Sequence, residues 1–158
     1  MTDQTDLGAI AREIIDSNSY MVLATADESG HPWASPVWYA RSEYREFLWV
    51  SSPEARHSRN LAARPQLAIV IFDSQVPVGA GQGVYMSAVA DELSGEDLDR
   101  GIEIFSRRSE AQGARAWTRK EVLPNAPYRL YRATVSEHSL LDPAASPDRR
   151  TQVTVEAV

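Results

Sequence analysis

The decapeptide SSPEARHSRN, residues 51–60, brings Arg56, His57 and Arg59 within four positions. Ser52 is a favoured N-cap and Pro53 a favoured first helical residue, so the run reads as a helix opening whose unpaired N–H groups attract an anion. Arginine adds a planar fork that meets phosphate oxygens two at a time. Positive side chains at a helix start oppose the macrodipole by roughly a few tenths of a kcal/mol unless an anion compensates. The chemistry implied is phosphate anchorage. The alternative is a solvated helix face with Glu54 as an intrahelical partner.

A second stretch bears on the same chemistry. In ASPVWYA, residues 34–40, Pro36 cannot donate to a ladder and belongs on a sheet edge or at a bulge, where neighbouring amides stay free. Such a surface suits a planar heteroaromatic ring carrying donors and acceptors, with Trp38 or Tyr39 alongside. The competing reading places these aromatics in the core.

The elements that must position these residues follow from periodicity. After the cap candidates Thr5 and Asp6, the apolar residues Leu7, Ile10, Ala11, Ile14 and Ile15 share one helical face. YMVLATA (20–26) and HPWASPVWYA (31–40) flank the turn DESG and read as a hairpin; EFLWVSS (46–52) is a further strand leading into the helix SPEARHSRNLAARP, which Pro65 closes. QLAIVIFD (66–73) is a near-continuous apolar strand, which taken literally is buried on both faces. SQVPVGAGQG reads as a loop before the strand GVYMSAVADEL, and SGEDLDRGIEIFSRRSEA as a serine-capped helix. YRLYRATVSEHSLL is a last long strand, and the proline-bearing tail from Asp142 is expected to be loosely held. Five to seven antiparallel strands with helices between them make an α+β fold, and a closed or split barrel hides their edges.

Composition narrows the classes. The 158 residues suit one domain; a formal charge of −6 gives no general attraction to nucleic acid or anionic membranes, and the absence of cysteine excludes disulfides and thiolate chemistry. No segment approaches a membrane span, and the acidic N-terminus MTDQTDLGAI lacks a leader's basic region, so the chain is read as cytoplasmic.

The ordered succession LATADESGHPWASPVWYA, EFLWVSSPEARHSRNLAARPQLAIVIF and GQGVYMSAVADEL resembles the pyridoxamine 5′-phosphate oxidase-like proteins, the flavin-binding split β-barrel superfamily. The resemblance covers roughly residues 7–141 and implies a flavin-binding domain over 1–141 with a C-terminal tail over 142–158. It implies FMN at a homodimer interface, its phosphate held by the basic pair Arg56 and His57 with Arg59 one turn on. It further nominates Ser35, Val37, Trp38 and neighbouring Thr25 beside the isoalloxazine ring, Ser51 and Ser52 along the ribityl chain, and Gln82 as a residue reaching the flavin of the partner subunit. His57 stands where the family usually has lysine, a weaker and pH-sensitive anion partner.

Other members resembling this chain use the deazaflavin coenzyme F420 instead, and a non-catalytic flavin- or haem-binding module is a further alternative. The expected activity is that of a flavin- or deazaflavin-dependent oxidoreductase acting on a small, planar substrate, with a nicotinamide electron donor as a possible partner. The oxidase's C-terminal arginine-x-histidine motif is missing: Arg132 and His138 are six apart, which argues against vitamin B6 oxidation. GAGQG leads into a strand and is a turn, and His31, His57 and His138 have no metal-ligand spacing, so no metal is expected. Trp117 could lid a ligand pocket or simply pack.

Overall fold

Residues 6–158 are described by a computed structural model with α1 (Leu7–Ser17), β1 (Tyr20–Ala26), β2 (Pro32–Trp38), β3 (Ala40–Ser42), β4 (Glu46–Ser51), α2 (Arg56–Ala63), β5 (Gln66–Phe72), β6 (Gly83–Glu92), α3 (Gly95–Ala111), a 3-10 turn (Arg119–Glu121), β7 (Arg129–Leu141) and β8 (Arg150–Val153). The strands form one antiparallel sheet in the order β2-β1-β5-β6-β7-β4-β3, with β8 paired to the far half of β7. The fold is therefore the α+β split barrel expected from the sequence. No described helix is long and apolar enough to cross a membrane.

Local chemistry explains the elements. Asp6 caps α1 by accepting from the Ala9 N–H at 3.0 Å, and Ala11 and Ile15 bury its apolar stripe; the other cap candidate, Thr5, lies outside the described residues. In the β1–β2 turn, Asp27 Oδ1 accepts from the Ser29 and His31 N–H groups, and Gly30 takes the left-handed φ of +85°. β1 then alternates, burying Met21, Leu23 and Thr25. These pack with Phe47, Trp49, Ile69, Ile71, Val84, Met86 and Leu140 inside the barrel, while α3 covers a second cluster around Leu48, Leu98, Phe105 and Leu130.

Three expectations are corrected. β5 buries only Leu67, Ile69 and Ile71, because no described helix covers the sheet's other face, where Ala68 and Phe72 are exposed. The α2 helix begins at Arg56 with Ala55 as N-cap: Ser52 accepts from the Glu54 N–H through Oγ and from the Ala55 N–H through its carbonyl, so Ser52 and Pro53 belong to a tight turn before the helix. The stretch after Asp142 is not loose throughout, since β8 pairs with His138–Leu141 and Val155 enters the core.

The sheet's two ends are consecutive in the chain. β2 pairs only with β1, as an edge carrying Pro32 and Pro36 must. Through Tyr39 it passes into β3, which is three residues long and reaches β4 no further than Leu48, so Trp49–Ser51 has no partner on that side. Tyr39 seals this corner: its buried hydroxyl donates to the Ile15 and Asn18 carbonyls. Beyond the corner β2 and β4 part, and a seam opens.

The β3–β4 hairpin turns through Glu43 (φ 53°) and Tyr44 (φ 58°), closed by the Arg45 N–H to Ser42 carbonyl bond. Two left-handed central residues define a type I′ turn, which favours Asn-Gly. Tyr44 is held there by its hydroxyl bond to Asp16 (2.6 Å), by Arg41 over its ring and by His138 Nε2 donating to its carbonyl (2.7 Å). Glu43 is exposed and makes no such contact. Glu43→Asn should therefore raise stability by on the order of 1 kcal/mol, read as a higher thermal midpoint.

Candidate functional site

The seam widens into a cleft of about 710 Å³, with Pro36, Val37 and Trp38 of β2 on one side and Val50 and Ser51 of β4 on the other. His57 of α2 closes its floor, and α3 and the connection to β7 roof it with Phe105, Gln112, Trp117 and Tyr128. Edge-strand backbone faces aromatic side chains across a space sized for a ring system.

The end of β4 and the start of α2 meet at one polar contact, Ser51 Oγ to His57 Nε2 at 2.8 Å. His57 is only 8% exposed, and burial pushes its imidazole below the ordinary 6.5 towards the neutral form. Ala55 gives α2 no side-chain cap, so the first-turn N–H groups beside His57 keep their capacity for an anion.

Helical rotation divides the basic cluster. Positions 56, 59, 60 and 63 share a face, and Arg56 and Arg59 line a separate pocket of about 390 Å³ with Asp27 and Glu28. The Arg56 guanidinium lies 4.2 Å over the Trp33 ring. Of the residues nominated from the sequence, Val37, Trp38, Ser51 and His57 come together in the cleft, while Arg56 and Arg59 do not join them.

The remaining nominees lie outside the cleft within this chain. Thr25 is buried, with Oγ1 accepting from Asn60 Nδ2 at 3.0 Å, which docks α2 against β1. Ser35 sits on β2 opposite Leu23 and Ser52 lies in the turn before α2; neither lines the cleft. Gln82 donates to the Leu141 carbonyl at 2.7 Å and accepts from the Leu141 and Gly83 N–H groups at 3.1 Å, so within this chain its amide ties β6 to β7. Sequence reasoning missed Gln112, Phe105 and Tyr128; Phe105 carried only a core signal, and the other two gain meaning from contacts distant in sequence.

An open-seamed antiparallel barrel with a ring-sized cleft at the seam defines the split-barrel class of fold. The model of the pyridoxamine 5′-phosphate oxidase family matches residues 8–142, and the chain belongs to that family. A pyridoxine/pyridoxamine 5′-phosphate oxidase of Polynucleobacter asymbioticus is 28% identical over 119 residues, 74% of this chain and 53% of the relative. The chain thus spans about half the length of that relative. Among solved structures, a heme binding protein from Mycobacterium smegmatis superposes with a TM-score of 0.71 at 23% identity, covering 92% of this chain and 57% of that one. The heme storage protein HutZ from Vibrio cholerae gives 0.65 at 19% identity, covering 86% of this chain and 94% of that one. Identities this low establish the shared fold.

Burial lowers the pKa of both His57 and His138 from 6.5. Between 6.5 and the lowered folded values, the unfolded chain binds more protons, so stability should fall as pH drops through that window. Below it, Asp27 and Asp142, whose carboxylates are held down by backbone N–H donors, continue the loss with the same sign. Thermal unfolding against pH should show this slope, and His57→Gln and His138→Gln should each flatten it below pH 6.5.

Proposed function

We propose that this chain is a homodimeric flavin-binding oxidoreductase that holds FMN in the seam between β2 and β4. The observation that supports the reading is the cleft itself: free edge backbone around Pro36, an aromatic wall opposite, and an uncapped helix start beside Ser51 and His57. In this reading the Ser35–Trp38 backbone meets the ring, Ser51 passes the ribityl chain, and the first-turn N–H groups of α2 take the phosphate with His57. Thr25 acts through Asn60 by fixing α2. Arg56 and Arg59, one helical face away, contribute a positive field rather than direct contact. Bound flavin supplies hydride or electron transfer; the protein binds it, orients it and excludes water with Trp38.

Vitamin B6 oxidation is not the proposed activity. Arg132 is committed to Asp91 and Glu46, and His138 to the Tyr44 carbonyl, so neither is available to grip a substrate phosphate. The substrate is a small planar molecule and a nicotinamide is the electron donor. Coenzyme F420 is a second reading, favoured by the Arg56–Arg59 pocket just across α2, where a longer anionic tail would find charge. Haem ligation is less well supported, because His57 is the histidine lining the cleft and its Nε2 is bonded to Ser51. The acidic, cysteine-free composition suits a cytoplasmic setting.

The partner surface in this reading is the uncovered face of β1, β5 and β6. Tyr20 (62%), Phe72 (48%) and Val89 (49%) are exposed around a depression of about 440 Å³ walled by Val22, Ala24, Ala68, Val70 and Tyr85. Light scattering should give the dimer mass, and Val70→Glu should shift it towards monomer with the fold retained in circular dichroism; a parent that runs as a monomer would refute the interface.

Titration with FMN, followed by flavin absorbance and quenching, should show saturable binding. His57→Lys should tighten it by about 10-fold through a permanent charge beside the phosphate, while the Arg56→Ala, Arg59→Ala pair should weaken it only modestly. Failure to bind FMN would overturn the cofactor reading.

A further inference from the structure

The roof of the cleft is built more rigidly than a loop between α3 and β7 requires. Ser106 Oγ accepts from the Trp117 N–H at 2.8 Å and donates to the Trp117 carbonyl at 2.9 Å. One turn on, buried Ser109 donates to the Arg115 carbonyl at 2.6 Å. Trp117 is thereby pinned as a fixed wall instead of a mobile lid. Four rings meet edge to face in series: Trp38 and Phe105 at 4.9 Å, Phe105 and Trp117 at 5.9 Å, Trp117 and Tyr128 at 6.1 Å.

Charge is kept out of this space. Among the described residues lining the cleft, none is lysine, arginine, aspartate or glutamate. Arg115 stacks on Trp117 at 4.3 Å but is paired with Glu121 at 2.6 Å, so its charge is compensated and one aromatic face already has its cation. In the half beneath α3, away from the opening of α2, a ligand carrying a net charge would lose its hydration with no charged side chain in return.

One polar group reads what enters. The Trp38 indole can only donate, and it donates to Gln112 Oε1 at 2.7 Å, which fixes the orientation of that amide. Gln112 Nε2 is then directed to Ser19 Oγ at 3.3 Å, the long and readily exchanged bond of the pair. The rim therefore presents an amide donor of fixed direction above an aromatic slot.

We propose that the half of the cleft beneath α3 is a substrate subsite for uncharged, planar aromatic carbonyl compounds of the quinone type, with Gln112 Nε2 donating to the carbonyl oxygen in place of Ser19. The proposal deepens the flavin reading by naming its substrate class, and as a substrate site it rests on that reading. Its binding component stands apart from the cofactor and is tested separately.

Calorimetric titration of the full chain with menadione, and with a naphthoquinone sulfonate as its anionic counterpart, tests it with and without saturating FMN. The chain contains no cysteine, so thiol addition to the quinone cannot imitate binding. Saturable uptake of one equivalent of menadione is expected, with the sulfonate at least about 10-fold weaker. Trp117→Ala should weaken menadione by at least about 10-fold and Gln112→Leu by several-fold, the latter with FMN affinity unchanged. Equal affinity for both quinones, undiminished binding by Gln112→Leu, or displacement of FMN by menadione would overturn the subsite. Discriminating menadione binding in a protein that takes no FMN would support the subsite and remove the flavin reading alone.

Discussion

The cleft exists because one pair of sheet edges is never joined. Proline removes the donor at positions 32 and 36 of β2, and β3 stops after three residues, so neither edge can complete a ladder across the seam. A barrel normally abolishes its edges by closing. Here the edges are kept and covered from outside by α3 and its pinned connection. The gap becomes an open-mouthed cleft that is roofed on one side without being filled. Tyr39 fixes where it starts, since its two carbonyl partners on the α1 side anchor the corner from which β2 and β4 diverge. The opening of α2 fixes where it ends.

Most of the barrel was legible because local signals and burial agree. The alternation of β1, the Asp27–Gly30 turn and the apolar stripe of α1 each point to the element that forms. Disagreement arose where one chemistry serves two structures. Ser52 followed by Pro53 is equally good as a helix cap and as a turn, because a serine oxygen reaches an N–H two residues on as readily as three. The choice is made by tertiary geometry, which sets the helix axis three residues later. β8 was hidden for a different reason: Arg150–Val153 is short and polar, and becomes a strand only because β7 offers it an edge.

The site was half legible. Trp38 and Ser51, nominated through edge and strand arguments, and His57, nominated through its charge class, line the cleft. Arg56, His57 and Arg59 are neighbours in sequence, but each helical step turns the side chain by about 100°. That rotation alone sends His57 to one cavity and both arginines to another. Gln112 carried no signal at all. Its partners, Trp38 on β2 and Ser19 in the α1–β1 connection, lie far away in sequence, and no local pattern announces a helix C-terminal amide that will face them.

One buried side chain has a practical corollary. Trp49 is fully enclosed, stacks on Tyr131 at 5.6 Å, and its indole N–H meets no acceptor in the structure. An indole in so apolar a setting emits at short wavelength, and its signal changes only when the barrel itself opens. Trp38 and Trp117 sit at the cleft and Trp33 beneath Arg56, so the remaining emission comes from the cleft and the surface beside α2. The protein thus carries an intrinsic optical separation of its own: a blue component from the core and a redder one from the cleft and its surroundings.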